Sequence, residues 1–155
     1  MIIVSACLAG VCCRYDGKAT EIPAIKKLVD DSQAVIVCPE ELGGLSTPRL
    51  KSERIMAADG EFKVVNEEGE DVTSYFIEGA EKVLEIAQEI EAEFILLKSK
   101  SPSCGSHRIY DGTFTGRLID GQGVCAQILR EAGYKVMNEK EFEVGGDTNE
   151  NHPHF

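Results

Sequence analysis

Short apolar runs recur along the chain, and each of them is followed by a polar segment rich in glycine, serine or proline. Runs of this length, rich in β-branched residues, predict buried β-strands. Four such strands are predicted, at residues 2–6, 33–38, 94–97 and 134–137. An unbroken apolar run is typical of a strand covered on both faces, as in a parallel sheet.

Helical patterns lie between these strands. Apolar residues recur at helical spacing in three segments, 22–29, 71–91 and 124–132. A β-hairpin is predicted where segments 54–56 and 62–65 flank Asp59-Gly60, because this dipeptide favours a tight turn. The resulting order of elements predicts a single three-layer α/β domain with a mostly parallel, Rossmann-like sheet.

The predicted domain occupies residues 1–143, and residues 144–155 are expected to form a polar C-terminal tail that frays. A chain of 155 residues is long enough for one domain with its own core. The first apolar run is too short for a signal peptide or a membrane span, and no basic region precedes it. We therefore expect a cytoplasmic protein without a membrane partner.

The formal net charge of -11 argues against broad binding to nucleic acid. Cations are nevertheless concentrated in or beside the polar loops, at Arg14, Lys18, Arg49, Lys51, Arg54, Lys98, Lys100, Arg108 and Arg117. This distribution predicts an acidic body with a basic rim that accepts an anionic ligand or a cluster. No feature of the sequence predicts an oligomeric state.

The six cysteines are the strongest chemical signal in the chain. In a cytosolic protein they favour metal binding or catalysis over a disulfide framework. Cys7, Cys38 and Cys104 each lie at or near the end of a predicted strand, and the carboxyl ends of parallel strands share one edge of a sheet. Three converging thiolates suit an iron–sulfur cluster with one open iron, or a zinc ion with an open position.

The remaining cysteines are less informative. Cys12 and Cys13 are adjacent, so their side chains are expected to diverge, and Cys13 stays open as an alternative or extra ligand. Cys125 falls within a helical pattern and is expected in the core. His107 follows Ser106 and is expected to make a structural hydrogen bond.

Five polar residues near these cysteines are candidates for chemistry. Glu40 follows Cys38 by two residues, and a carboxylate beside a metal or thiolate cluster suits proton transfer. The hydroxyl of Ser101 or Ser103 could orient a substrate or a water molecule. Asp16 could do the same, although Asp-Gly is also a common turn. Arg49 is a candidate clamp for an anion or a carbonyl group.

Several motifs occur in an order that is specific to one family. They cover residues 5–10, 13–17, 38–49, 98–105, 110–116 and 121–124. In this order they resemble the DUF523 family, and the resemblance extends over residues 1–141. That family includes the 2-thiouracil desulfurases.

The resemblance implies a [4Fe-4S] cluster held by three cysteines, with a free iron that takes sulfur from a thiolated nucleobase. The implied ligands are Cys7, Cys38 and Cys104, the same three that the strand-end pattern indicates. The implied acid–base pair is Glu40 with Ser101, and Ser103 is the reserve.

The preferred hypothesis is a desulfurase that removes sulfur from a small thiolated base such as 2-thiouracil, without net electron transfer. Whether the base is free or part of RNA is left open. The alternatives are a non-catalytic carrier of a metal or cluster, a sulfur-handling protein, and a zinc hydrolase. A carrier needs only the thiols, whereas an enzyme also needs Glu40 and Ser101.

Overall fold

The computed structural model describes residues 1–56 and 59–148, with side chains as far as residue 143. The strands in this part of the chain are β1 (Ile2–Ser5), β2 (Ala34–Val37), β3 (Ser52–Met56), β4 (Phe62–Asn66), β5 (Ile95–Leu97), β6 (Arg108–Tyr110), β7 (Leu118–Asp120) and β8 (Val136–Asn138). The helices are α1 (Pro23–Asp30), α2 (Pro39–Leu42), α3 (Thr73–Ile90), α4 (Val124–Glu131) and α5 (Glu139–Thr148), with a 3-10 turn at Ala6–Ala9.

A four-stranded parallel sheet lies at the centre, in the order β2-β1-β5-β8. Strand β1 is one of the two inner strands, and Val4 lies opposite Ile36 of β2 and Leu96 of β5. Two antiparallel hairpins, β3-β4 and β6-β7, lie outside this sheet. The predicted α/β class and the mostly parallel sheet are therefore confirmed.

Helices cover both faces of the sheet, because successive residues of each strand point to opposite sides. Ile3 and Ile95 belong to a buried cluster that also contains apolar residues of α3 and α4. Val4 and Leu96 belong to a second cluster, which is completed by Ile25 of α1. All five of these side chains are fully buried, so the sheet is the middle layer of three.

The backbones of α2 and α3 approach each other closely, and this contact places the segment that follows β2. A Cβ atom at Gly43 would collide with the carbonyl oxygen of Tyr75, and one at Gly79 would collide with that of Pro39. Only glycine allows such an approach. The short helix α2, which carries Glu40, is therefore held directly against α3.

Helix α2, the β6-β7 hairpin, helix α5 and the 3-10 turn at Ala6–Ala9 were not predicted. Helix α2 lies in a segment expected to be loop, and it is a single turn that begins at Pro39, a residue favoured at the first helical position. The β6-β7 hairpin lies in a segment that shows only turn signals. Its strands have three residues each, too few to produce a clear pattern.

The domain boundary predicted at residue 143 falls inside helix α5, which runs from Glu139 to Thr148. Residues 149–155, which contain the rest of the predicted tail, lie outside the described residues.

Candidate active site

The segments that follow β1, β2 and β5 meet at the carboxyl edge of the parallel sheet and enclose a cavity of about 170 Å³. Cys7, Cys38 and Cys104 line this cavity, and Cys13 is a fourth thiol on its wall. Cys7, Cys13 and Cys104 are buried, whereas Cys38 is half-buried. The structure thus brings the three strand-end cysteines together at one edge.

Cys13 lies among the other thiols, and its side chain forms hydrogen bonds with both Cys38 and Cys7. The hydrogen bond with Cys38 lowers the pKa of the Cys13 thiol. The hydrogen bond with Cys7 and burial outweigh this effect and raise the pKa to about 12. The hydrogen bond with Cys13 and burial also raise the pKa of Cys38.

Burial raises the pKa of the Cys104 thiol to about 11, although hydrogen bonds from Ser103 and Ser5 act in the opposite direction. Without a metal, Cys13, Cys38 and Cys104 are therefore protonated at neutral pH. Metals bind the thiolate form of cysteine, so ligation at these positions must release protons.

The loop that contains Cys104 is held by the first turn of α4. Amide groups at this helix start donate to carbonyl oxygens of the loop, from Val124 to Pro102 at 2.9 Å and from Cys125 to Ser103 at 2.8 Å. A Cβ atom at Gly123 would collide with the backbone of Ser103. The loop can reach these donors because position 123 is glycine.

A chain of hydroxyl groups connects Ser101 with Glu40. The Ser101 Oγ accepts the amide protons of Ser103 at 3.1 Å and Cys104 at 3.0 Å. Its own proton is therefore directed at the Ser103 Oγ, 3.0 Å away. The Ser103 hydroxyl in turn donates to the Glu40 Oε2 at 3.2 Å.

Ser101 and Glu40 line the cavity, whereas Ser103 is fully buried behind them. The structure thus brings all three candidate acid–base residues into one hydrogen-bonded chain beside Cys104. Both ends of that chain face the cavity, so it offers a path along which a proton can move.

The guanidinium group of Arg49 binds protein groups on all of its nitrogens. Its Nε lies 3.1 Å from the Glu40 Oε1, in an ion pair whose side chains are only 7% and 15% exposed. Its Nη1 donates to Thr47 and Ser46, and its Nη2 donates to the Cys13 carbonyl at 2.9 Å. Arg49 lines the cavity, but its donors hold Glu40 and two loops together.

Asp16 is placed differently. Its carboxylate accepts the Lys18 amide proton at 3.0 Å and lies 3.9 Å from the guanidinium of Arg14. Arg14 and Tyr15 line the cavity, whereas Asp16 is not among the described residues that do so. His107 is half exposed and pairs with Glu141 at 3.2 Å, in line with the structural role predicted for it.

Other cavity residues were not singled out by the sequence as site residues. They are Ser5, Tyr15, Lys51, Ser52, Lys98, Ser99, Lys100 and Tyr110. The Lys51 ammonium lies 4.5 Å above the Tyr110 ring, and Lys98 pairs with Glu139 at 3.6 Å. For the three lysines of this group, the concentration of cations in the polar loops was the feature of the sequence that could have indicated them.

Within residues 1–56 and 59–148, no three His, Cys, Asp or Glu side chains are placed to share a single metal ion. No helix among the described residues is both long enough and apolar enough to cross a membrane.

The fold and the site together define an α/β enzyme domain with a thiol-lined cavity at the carboxyl edge of its sheet. The chain belongs to the 2-thiouracil desulfurase family, whose model matches residues 2–141. This match covers nearly the whole chain and confirms the family indicated by the sequence motifs.

Two individual proteins resemble this chain over almost their full length. An uncharacterized protein of Bacillus subtilis (strain 168), YbbK, is 50% identical over 146 residues, which are 91% of this chain and 97% of YbbK. The solved structure of the [4Fe-4S]-dependent thiouracil desulfidase TudS matches with a TM-score of 0.84 and 41% identity, covering 92% of this chain and 93% of that chain.

Proposed function

We propose that this protein is a [4Fe-4S]-dependent desulfurase that replaces the sulfur of a thiolated nucleobase such as 2-thiouracil with oxygen from water. The observation that carries the proposal is the meeting of Cys7, Cys38 and Cys104 at one cavity with the chain from Ser101 to Glu40. Family membership and the likeness to TudS support the same activity.

Cys7, Cys38 and Cys104 would hold the cluster. Three thiols on the wall of one cavity are the soft donor set that an iron–sulfur cluster requires, and the likeness to the [4Fe-4S]-dependent TudS favours a cluster over zinc. Three protein ligands leave one iron open, and the cluster supplies there a position that binds a soft thiocarbonyl sulfur. Cys13 is not needed in this ligand set.

The reaction exchanges one C=S bond for one C=O bond, and the sulfur leaves as sulfide. Water supplies the oxygen and two protons, so neither an electron donor nor an electron acceptor is consumed. Ser101 lines the cavity and takes a proton from the attacking water while its own proton passes to Ser103 and the Ser103 proton passes to Glu40. Glu40, which also lines the cavity, returns a proton to the departing sulfur.

Ser103 connects these two steps. Its hydroxyl donates to Glu40 and accepts from Ser101, so a shift of each proton by one position carries a proton from the cavity end at Ser101 to Glu40. Arg49 fixes the other oxygen of the carboxylate and keeps it aimed at this chain. Its role in this proposal is to hold Glu40, whereas the sequence indicated a substrate clamp.

The substrate is a small thiolated base that fits a cavity of about 170 Å³. Cations around the cavity, including Lys51, Lys98 and Lys100, suit a base whose polar atoms carry negative charge. Asp16 remains a proposed substrate residue, which would have to act from outside the described cavity wall. The six free cysteines fit a reducing, cytoplasmic environment.

The proposal is tested by purifying and reconstituting the protein under argon. Iron, sulfide and zinc are measured first, and conversion of 2-thiouracil to uracil is followed afterwards. We expect four irons and four sulfides per chain together with turnover. Zinc in place of iron would contradict the cofactor, and a full cluster without turnover on any thiolated base would instead support a carrier.

A further inference from the structure

Ser5 is a buried polar residue at the point where β1 enters the site. It is the last residue of β1 and is 3% exposed. Its Oγ lies 3.5 Å from the Sγ of Cys104, a residue 99 positions away in the sequence. The hydroxyl of Ser5 therefore touches a proposed cluster ligand from the neighbouring strand.

The hydrogen-bond partners of Ser5 determine the direction of its proton. The amide of Lys98 donates to the Ser5 Oγ at 2.9 Å, and this bond occupies one of the lone pairs of the oxygen. A hydroxyl group has one proton, and the Cys104 sulfur lies within reach as its acceptor. Ser5 is thus oriented by the amide of Lys98, the residue after β5, so that its O–H points at the sulfur.

Ser103 also approaches the same sulfur but is shared between two acceptors. Its hydroxyl lies 3.5 Å from the Cys104 Sγ and 3.2 Å from the Glu40 Oε2. Its single proton cannot serve both at once. When Ser103 donates to Glu40, Ser5 is left as the hydroxyl donor to the sulfur.

We infer that Ser5 is a positioning residue that supplies the Cys104 thiolate with a permanent hydrogen bond and thereby tunes the cluster that this thiolate holds. The inference rests on the proposed function, because it requires Cys104 to be a ligand. Hydrogen bonds to cluster sulfurs are among the factors that set the reduction potential. A donated proton draws electron density from the sulfur, so Ser5 reduces the negative charge that Cys104 passes to the cluster.

Two different hydroxyl groups beside Cys104 therefore have two different roles, hydrogen bonding to its sulfur by Ser5 and proton transfer by Ser103. Ser5 donates to the Cys104 sulfur whichever way the Ser103 proton points, so the sulfur keeps one hydroxyl donor while the Ser103 proton moves along the chain to Glu40. Without Ser5, the sulfur would lose its hydroxyl donor each time Ser103 donates to Glu40. The role belongs to this chain's own residues and does not depend on which thiolated base is the substrate.

The test compares reduction potentials of reconstituted variants, measured by redox titration with electron paramagnetic resonance. Ser5→Ala should lower the midpoint potential of the cluster, since it removes the donor to the sulfur. Ser5→Thr keeps the hydroxyl and should restore the wild-type value. Ser106→Ala is the matched control, because Ser106 is also buried and its Oγ has no hydrogen-bond partner among the described residues.

An unchanged potential in Ser5→Ala would overturn the inference and leave the proposed function standing. An equal shift in Ser106→Ala would also overturn it, because the effect would then follow from the loss of any buried hydroxyl. A wild-type protein that takes up no cluster would reject both the proposed function and the role of Ser5. A lower potential in Ser5→Ala alone, restored by threonine, supports the inference.

Discussion

The two edges of the parallel sheet are built from the same strands but differ in their chemistry. The carboxyl edge holds a cavity of about 170 Å³ with four thiols and the pair formed by Glu40 and Arg49. A second cavity, of about 470 Å³, lies at the amino edge and is lined by Met1, Ile2, Leu28, Ser32, Gln33, Glu93, Phe94 and Phe142. The convergence of reactive side chains distinguishes the carboxyl-edge cavity from this one.

The lengths of the connections explain this difference. At the amino edge, the segments 31–33, 91–94 and 132–135 join each helix to the next strand in three or four residues. At the carboxyl edge, residues 6–22 follow β1, residues 38–51 lie between β2 and β3, and residues 98–107 follow β5. These longer segments have room to place several functional side chains around one point.

The largest expected effect is the loss of the cluster when a carboxyl-edge ligand is replaced. Cys7→Ser, Cys38→Ser and Cys104→Ser should each remove most of the bound iron after anaerobic reconstitution, because a cluster with two protein ligands is poorly held. Cys125→Ser is the control, since Cys125 is buried in α4 and should leave the iron content unchanged. Iron retention that depends on Cys13 but not on Cys38 would contradict the ligand set.

The next effect concerns turnover. Glu40→Gln and Ser101→Ala should keep the cluster but reduce the rate of 2-thiouracil conversion by about 10²–10⁴-fold, the range for a lost acid–base group. Glu93→Gln is the matched change at the amino edge, where Glu93 pairs with the exposed N-terminus at 2.8 Å. Glu93→Gln should retain the full rate of conversion. An equal loss of rate in Glu40→Gln and Glu93→Gln would contradict the assignment of catalysis to the carboxyl edge.

Replacing Arg49 should affect folding as well as catalysis. Arg49→Met leaves the partly buried carboxylate of Glu40 without its ion-pair partner, so the free energy of unfolding should fall by about 2–3 kcal/mol. Urea denaturation measures this change. Lys26→Met breaks the exposed pair with Asp30 on α1 and should change stability by less than about 1 kcal/mol. Similar losses in the two variants would show that the Arg49 pair behaves like a surface pair.

The smallest expected effect is on alkaline stability. In the cluster-free protein, burial raises the pKa of Cys104 to about 11 from an ordinary value of 9.0. Between these pH values the unfolded chain loses a proton that the folded chain keeps, so the stability contributed by this thiol falls as pH rises. The loss should be about 2 kcal/mol by about pH 11, because one pKa unit corresponds to about 1.4 kcal/mol.

Denaturation curves between pH 8 and about pH 11 measure this loss, since the window follows from the raised pKa. Cys104→Ala should reduce the dependence of stability on pH without abolishing it, because the pKa values of Cys13, Cys38 and Cys125 are raised as well. Replacing the exposed Cys12 by alanine is the control and should not reduce it. A wild-type stability that does not fall above pH 9.0 would contradict the burial argument for Cys104.

The meeting of the three strand-end cysteines could be anticipated from the sequence for a simple reason. In a parallel sheet, every residue that follows a strand is delivered to the same edge, so Cys7, Cys38 and Cys104 needed only three correctly located strands. The placement of Glu40 and Ser101 beside them followed from their short separation in sequence from Cys38 and Cys104.

Other parts of the site depend on contacts that no local pattern encodes. The hydrogen bond from Ser5 to Cys104 spans 99 positions and exists because β1 and β5 are neighbours. The engagement of Arg49 with Glu40 and Cys13 required the loop after α2 to fold back over the cavity. These residues act through tertiary contacts, and sequence spacing alone does not show such contacts.

The central claim is that the carboxyl edge carries out a desulfuration without net electron transfer. The most direct measurement follows cluster-loaded protein with 2-thiouracil under argon, with no added electron donor or acceptor, and quantifies uracil and sulfide together. We predict repeated turnover with one sulfide released for each uracil formed, and its loss in Glu40→Gln despite a full cluster. Unchanged 2-thiouracil in the presence of fully loaded wild-type protein, or turnover that requires an added reductant or oxidant, would contradict the account.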